Sequence, residues 1–411
     1  MEQVLYSLPD GWEWQTIEEV AQIGADRGFT PTPDSEGNVP FIGMTDIDQE
    51  TGRKSTYELR NFDDVKKGYT KFQRNAVLFA KITPCTENNK TALIDHVDGG
   101  FATTEVFPIH ALVSVDPKYL LHFFRSPSVR RFLIDHMEGA TGRQRVPLKA
   151  LKSVCVPVCG LEEQKRIVEK LDALLTRIDT AIEHLQESVT LADALSQNGL
   201  DIYFGELSKI NPEQPLLKLV DFISGYAFKS GDFSSESGIY PIKITNVGVN
   251  TFSENTEEFL PASYESAYQR FAVKANDIVI ALTRPIINGG LKVCRVPEIY
   301  SGALVNQRVA AITSHNQNTL DFIYLYLQSS RTKNYVLGKS KSLNQPNLSI
   351  TDLKNLAIPF PNNDDAIVKA VSDCNALISK ARKSKAEISE KITMMQQLKA
   401  SILDSAFKGE L

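Results

Sequence analysis

Four hundred and eleven residues, 42% hydrophobic and 23% charged, exceed one ordinary domain and match soluble globular chains, which leaves little room for wholesale disorder. A net charge of −5 excludes a polycation, so any nucleic-acid surface has to be a local patch. No apolar run reaches the roughly 18 residues of a membrane span, the first residues lack a secretory pattern, and five scattered cysteines (Cys85, Cys155, Cys159, Cys294, Cys374) suit a reducing compartment; a cytoplasmic chain without membrane contact is expected.

In chain order, the landmarks of the first half return about 200 residues later. A proline precedes a short apolar strand at Val39-Pro40-Phe41-Ile42 and at Tyr240-Pro241-Ile242-Lys243. A buried strand ending in a turn proline follows, Ala76 to Pro84 in one half and Asp277 to Pro285 in the other, both rich in β-branched and apolar residues. An aromatic helix comes next, Tyr119 to Ser126 against Phe322 to Ser329. A polar loop then leads to a strand ending in proline, Leu151 to Pro157 against Leu353 to Pro359. So many landmarks in one order indicate a duplication.

Each half closes on a long amphipathic helix. The first is predicted from Leu161 to about Leu195, with apolar positions Ile167, Leu171, Leu174, Ile178, Ala181, Leu185 and Val189, and an end near Gly199. The second is predicted from about Asp364 to Phe407, with Ile367, Val371, Cys374, Ile378, Ala381, Ile388, Ile392, Met395, Leu398 and Ile402 on its stripe and Lys385 interrupting it. Stripes this narrow read as coiled-coil seams rather than as faces packed on a globular core. Residues 161–195 carry a net −4 and residues 364–411 a net +1, so the two helices are expected to pair antiparallel, the apolar seam dominating over exposed charge pairs. The plain alternative packs each helix on its own domain.

Two like domains joined by antiparallel rods would imitate a twofold dimer, a geometry suited to duplex DNA, whose readers contact half-sites about one helical turn apart. Local charge agrees. Residues 125–152 hold seven basic and two acidic residues, among them Arg125, Arg143 and Arg145. The matching 329–354 hold five basic residues, including Lys339 and Lys341, against Asp352 alone. Such residues neutralise phosphates, and the neighbouring Gln144, Asn344 and Asn347 can donate to phosphate or read base edges; two solvated loops are the plain alternative. At the strand exits, Lys81 and Thr83 precede Pro84, and Arg284 precedes Pro285 with Asn288 just beyond, where a rigid strand end can present them to a groove. An ordinary strand-to-turn exit is the alternative there.

At this point the chain resembles the specificity subunits of type I restriction-modification systems. The likeness rests on Leu8-Pro9-Asp10-Gly11-Trp12-Glu13-Trp14, on the loop Thr141-Gly142-Arg143-Gln144-Arg145-Val146-Pro147-Leu148, on the junction from Pro157 through Leu161-Glu162-Glu163-Gln164-Lys165-Arg166-Ile167-Val168 to Leu171, and on the tail Leu398-Lys399-Ala400-Ser401-Ile402-Leu403 with Ala406-Phe407-Lys408-Gly409-Glu410-Leu411. The second half departs from the pattern: its loop reads Lys341-Ser342-Leu343-Asn344-Gln345-Pro346-Asn347-Leu348 and its junction Pro361-Asn362-Asn363-Asp364-Asp365. The resemblance implies an α+β chain with two mixed α/β target-recognition domains, at 1–155 and 212–358, and two spacer helices, at 156–200 and 362–411, paired as an antiparallel coiled coil. It implies double-stranded DNA as ligand, read as a bipartite site, and two modification (methyltransferase) subunits and restriction (translocase/nuclease) subunits as partners. Partner-binding positions are expected on the helices at Ile167, Leu171, Leu174, Ile178, Ile388, Ile392, Met395 and Ile402. S-adenosylmethionine, ATP and magnesium would belong to those partner subunits, and this chain would hold no cofactor.

Chemistry within the chain finds no support. No Asn/Asp-Pro-Pro-aromatic loop of an amino-methyltransferase occurs, and Gly338-Lys339-Ser340 lacks the leading glycine of a phosphate cradle, position 333 being Lys. Cys155 and Cys159 have no second pair at zinc-ligand spacing, the six histidines are scattered, and Pro33-Asp34 begins a nuclease-like pattern that does not continue. The competing function is a coiled-coil scaffold with two protein- or glycan-binding heads.

Overall fold

The computed structural model describes every residue except Met1, Glu2, Val4, Lys54, Asn255, Thr256, Asn288 and residues 340–346. The chain forms two compact units that are not contiguous in sequence: Met1–Leu185 with Glu390–Leu411, and Gln186–Ser389. Among the described residues no helix is long and apolar enough to cross a membrane.

The first unit is built around an antiparallel sheet in the order Ala21–Ile23, Val106–Ala111, Ala76–Ala80, Thr91–Ile94. Ala76–Ala80 is buried at all five positions, as a strand covered on both faces requires, and this explains its unbroken apolar run. Its register sets Ala76 opposite Ile94 on one side and His110 on the other. A second sheet joins Glu58–Asn61, Asn38–Ile42, Gly99–Ala102 and Thr70–Gln73. The helix Pro117–Arg125 covers the first sheet; Asp116 caps it, its carboxylate accepting from Lys118 N at 2.8 Å and Tyr119 N at 3.2 Å, with Pro117 at the first helical position.

The second unit repeats this plan. Its main sheet runs Asp221–Ser224, Val309–Thr313, Ile278–Ala281, Val293–Arg295, strand for strand the order of the first. Pro241–Ile242 pairs in parallel with Leu304–Val305, as Asn38–Ile42 does with Gly99–Ala102. The helix Gln317–Leu327 matches Pro117–Arg125, with Asn316 as its cap. In each unit a strand at the entry pairs with one at the exit, Glu13–Thr16 with Cys155–Val158 and Glu213–Pro215 with Ala357–Pro359. The duplication is thus a duplication of topology. One detail differs from expectation: Leu151 and Leu353 belong to one-turn helices, Leu148–Lys152 and Ile350–Lys354, whose buried leucines plug the core before the closing strands begin.

The central helix runs Leu161–Ile210 and the C-terminal helix Asp364–Ala406. The central helix passes through Gly199, where its end was expected, because Leu200 and Phe204 beyond it are buried in the second unit's core. A Cβ on Gly199 would stand 2.6 Å from Leu377 Cδ1, so the glycine allows close approach of the two helices instead of ending one. The helices pair antiparallel in each unit. In the first, Asp179 accepts from Lys399 Nζ at 2.6 Å and Arg166 Nη2 donates to Leu411 O at 2.7 Å. In the second, Lys385 Nζ meets Asp193 at 2.7 Å and Tyr203 donates to Asp373 at 3.2 Å. Lys385, the interruption in the apolar stripe, is therefore an interhelical ion pair.

Each helix also ends inside a core. Phe407 packs edge-on against Tyr119 and Phe123, centroids 5.1 and 5.3 Å away, and Phe204 packs likewise on Phe322 and Tyr326 at 5.6 and 5.0 Å. The helix that follows the first domain thus completes the second unit, and the helix that follows the second completes the first. Near the domains the buried face is wider than a coiled-coil seam: Leu175 is buried where Leu174 is only half-buried, because the helix packs on the domain as well as on its partner. Ile167 and Leu171 are 1% and 0% exposed in this core and Ile178 is 8% exposed, while Ile388, Ile392, Met395 and Ile402 are half-buried. Ile167, Leu171 and Ile178 therefore pack within the chain and offer no surface to a partner subunit.

The two junctions into these helices solve one problem with different residues. Gln164, fully buried, donates to Ser114 O at 3.0 Å and Cys159 O at 2.7 Å and accepts from Asp116 N at 2.8 Å. In the second unit Asn363 caps the helix by accepting from Ala366 N, and Asp364 accepts from Asn316 and Asn318 at 3.0 and 3.1 Å. Both designs tie a helix start to the domain with side-chain hydrogen bonds.

Candidate nucleic-acid interface

In the first repeat, the chain leaves the central strand at Ala80 and is met by a hairpin that returns from the helical layer. Glu138 and Arg145 exchange backbone hydrogen bonds of 2.9 and 2.8 Å, which makes residues 139–144 a projecting tip. Gly139 sits at φ 120°, a conformation that side chains rarely adopt, and a Cβ there would press on Arg143 O at 3.0 Å. Val146 N donates to Lys81 O at 2.8 Å, Thr83 N to Gln144 O at 3.0 Å, and Gln144 N to Thr83 Oγ1 at 3.1 Å. The fold thus brings Lys81, Thr83, Gln144 and Arg145 together from stretches about 60 residues apart, with Arg143 exposed on the tip.

Charge in this cluster is arranged by Glu105. Arg145 grips it bidentately, Nε at 2.9 Å and Nη2 at 2.8 Å, a planar fork on a carboxylate. The hydrogen bond from Arg145 lowers the Glu105 pKa, and the same contact raises that of Arg145. Lys81 Nζ lies 4.8 Å from the Phe107 ring centroid, a cation–π contact. Glu105 was not expected from sequence; its signal is a lone acid directly before the strand Val106–Ala111.

The second repeat builds the same junction. Thr283 bridges to Asn347, and Leu348 N donates to Leu282 O at 2.8 Å, as Val146 does to Lys81. Arg284 is exposed and sits at φ 46°, in a region that costs a non-glycine residue about 1 kcal/mol or more and that persists mostly at functional sites. Asn347 is exposed beside it. Lys339 is exposed at the end of the helix Ser330–Lys339, 5.5 Å from the Tyr335 ring. Asn288, Lys341 and Asn344 lie outside the described residues.

Arg125 has a different place. It is 5% exposed, and its guanidinium donates to four carbonyls, those of Asn89, Thr91, Gln49 and Glu50, at 2.7–3.3 Å. It clasps two loops from within and is removed from the candidate interface. Nearby, His122 is buried within 2.7 Å of Asp172, which also pairs with Arg53. Burial, with Arg53 and Arg125 alongside, depresses the His122 pKa to about 3, so the imidazole is neutral. These groups line a cavity of about 560 Å³ between the first domain and its helices. Among the described residues no group of three or more His, Cys, Asp or Glu is placed to hold a metal ion.

Comparison with known proteins agrees with this architecture. A family described as the type I restriction modification DNA specificity domain matches residues 9–191 and again residues 218–390. The EcoAI type I restriction enzyme specificity subunit of Escherichia coli is 26% identical, spanning 95% of this chain and 83% of its own. The MjaVIII specificity subunit of Methanocaldococcus jannaschii is 29% identical over 65% of this chain and 66% of its own. Among solved structures, the HsdS subunit of Thermoanaerobacter tengcongensis superposes over the whole of both chains with a TM-score of 0.61 at 20% identity. A chain from work on complex assembly and conformational transition of the type I R-M system gives 0.76 at 19%, covering 99% of this chain and 100% of that one. These two likenesses speak for the fold.

Proposed function

The chain belongs to the type I restriction modification DNA specificity family, and from that premise we propose that it is a sequence-specific DNA-binding subunit that reads a bipartite duplex site with one domain per half-site. The observation that carries this reading is the recurrence, in both repeats, of a rigid strand exit zipped to a polar loop: Lys81 and Thr83 with Gln144 and Arg145, and Thr283 and Arg284 with Asn347. The exposed Arg143, Arg284, Lys339 and Asn347 supply phosphate and base-edge contacts on surfaces of an otherwise acidic chain. Asn288, Lys341 and Asn344 are added as candidate contact residues on the strength of the sequence.

The chain is a non-catalytic subunit in this reading. It supplies sequence choice to two modification subunits, which hold S-adenosylmethionine, and to restriction subunits, which use ATP and magnesium. Their docking surface is the exposed face of the helices, since the seam is occupied within the chain. A cytoplasmic setting follows from that role. The family match disfavours a scaffold with protein- or glycan-binding heads.

The test is co-expression with a type I modification subunit from the same source, followed by mapping of methylated bases across a genome. A two-part motif with a gap of constant length is expected. The isolated chain should bind duplex with an affinity that falls steeply as salt rises. An unmethylated genome together with salt-insensitive binding would sink the proposal.

A further inference from the structure

The turn after each strand exit is closed and braced by a lysine in the same place. Ala80 N donates to Lys90 O at 3.0 Å and Lys90 N to Cys85 O at 3.0 Å. In the second repeat Ala281 N donates to Lys292 O at 3.0 Å and Lys292 N to Pro285 O at 2.6 Å. The side chains repeat as well. Lys90 Nζ donates to Met44 O at 2.5 Å and Lys292 Nζ to Ile244 O at 3.0 Å. The accepting carbonyls belong to matched turns at the end of the first parallel strand. Gly43 N donates to Asp46 Oδ2 at 2.8 Å in one, and Lys243 N to Asn246 Oδ1 at 2.7 Å in the other.

Between strand exit and lysine the two repeats have little in common. One reads Thr83-Pro84-Cys85-Thr86-Glu87-Asn88-Asn89, the other, one residue longer, Arg284-Pro285-Ile286-Ile287-Asn288-Gly289-Gly290-Leu291. The turns diverge where two domains reading different bases would have to, while the lysine and its acceptor stay. Both lysines are half-buried. An ammonium held there by a backbone carbonyl gives up part of its water, a cost that a fully solvated surface lysine does not carry. A reading side chain needs such support, because a site loose by about 1 Å loses its discrimination.

We propose that Lys90 and Lys292 are positioning residues for base reading: each ties its strand-exit turn to the neighbouring turn and so holds Lys81 and Thr83 in one domain, and Arg284 in the other, in one geometry against the duplex. This rests on the DNA-reading function proposed above. With the methylated motif mapped, the full-length chain is titrated against four duplexes: motif intact, first half scrambled, second half scrambled, and both scrambled. Lys90→Met should lose about tenfold or more of its discrimination at one half-site only, and Lys292→Met at the other. Binding to the fully scrambled duplex should stay within about twofold of the parent, and Lys→Arg at either position should restore most of the discrimination.

Unchanged discrimination in both variants overturns the brace. So does an equal loss on all four duplexes, which is the mark of a phosphate contact or of general damage, or a loss at the same half-site from both variants. Thermal melting identifies a methionine variant that fails to fold, and the arginine variant and the other repeat then carry the comparison. A parent chain that itself ignores the motif refutes the DNA-reading function instead, and is recognised before any variant is made.

Discussion

Arg125, Arg143 and Arg145 come from one basic stretch, and folding gives each a different task. Arg143 stands exposed on a hairpin tip, Arg145 is held by Glu105, and Arg125 is sealed under two loops. Arg143→Ala should therefore weaken duplex binding by about 1–3 kcal/mol without altering the melting temperature, measured by anisotropy titration and thermal melting. Arg125→Ala should do the reverse, costing about 2–4 kcal/mol of stability because four carbonyls lose a buried charged donor; a binding defect at unchanged stability would return Arg125 to the interface. His122 carries a pH signature. Its pKa falls from an ordinary value near 6.5 to about 3 on folding, so the unfolded chain binds the extra proton. The stability tied to the neutral imidazole is complete above about pH 6.5 and drains away as pH drops toward 3. Melting of His122→Gln beside the parent between pH 7 and 4.5 should show the variant gaining relative to the parent with acidity; a constant gap would mean that His122 does not titrate with folding. From sequence, the residue types of the interface were legible as charge clusters, but nothing separates an exposed arginine from a buried one when both sit in basic company.

Among the elements, the landmark strands Asn38–Ile42 and Ala76–Ala80 and the two long helices were legible, because an unbroken β-branched apolar run and a helical apolar stripe show directly in the chain, whereas their sheet neighbours, such as Val106–Ala111, were not. Helix ends were less so. Gly199 reads as a stop, yet it is a contact point: adding a side chain there drives it into Leu377. Gly199→Val should destabilise the chain by about 1–3 kcal/mol through overpacking, and Leu377→Ala should recover part of that loss, which thermal melting of the single and double variants would reveal. Additive losses would show that the close approach is not what the glycine serves. Lys385 likewise reads as a flaw in a stripe until Asp193 is seen opposite it. The difference between Leu174 and Leu175 has the same origin, since a helix that leans on a domain as well as on another helix buries a wider face than its seam announces.

At the scale of the molecule, each unit is completed by the far end of a helix that begins after the other domain. Removal of residues 390–411 takes Leu403, Ala406 and Phe407 from the first unit's core. Hydrogen exchange should then show protection lost around Tyr119, Phe123 and Leu171 while the second unit keeps its own; protection lost equally in both units would refute this division. The sequence alone determined the duplication and the two long helices, because repeats and apolar periodicity are properties of neighbours along the chain, and the fold class came with the family resemblance. The tertiary structure decided which arginine faces water, that Glu105 sits beside Arg145, that Thr83 meets Gln144, and that Phe407 closes a core begun near residue 17. Those are encounters between residues tens to hundreds of positions apart, settled by packing and desolvation, to which no local pattern is sensitive.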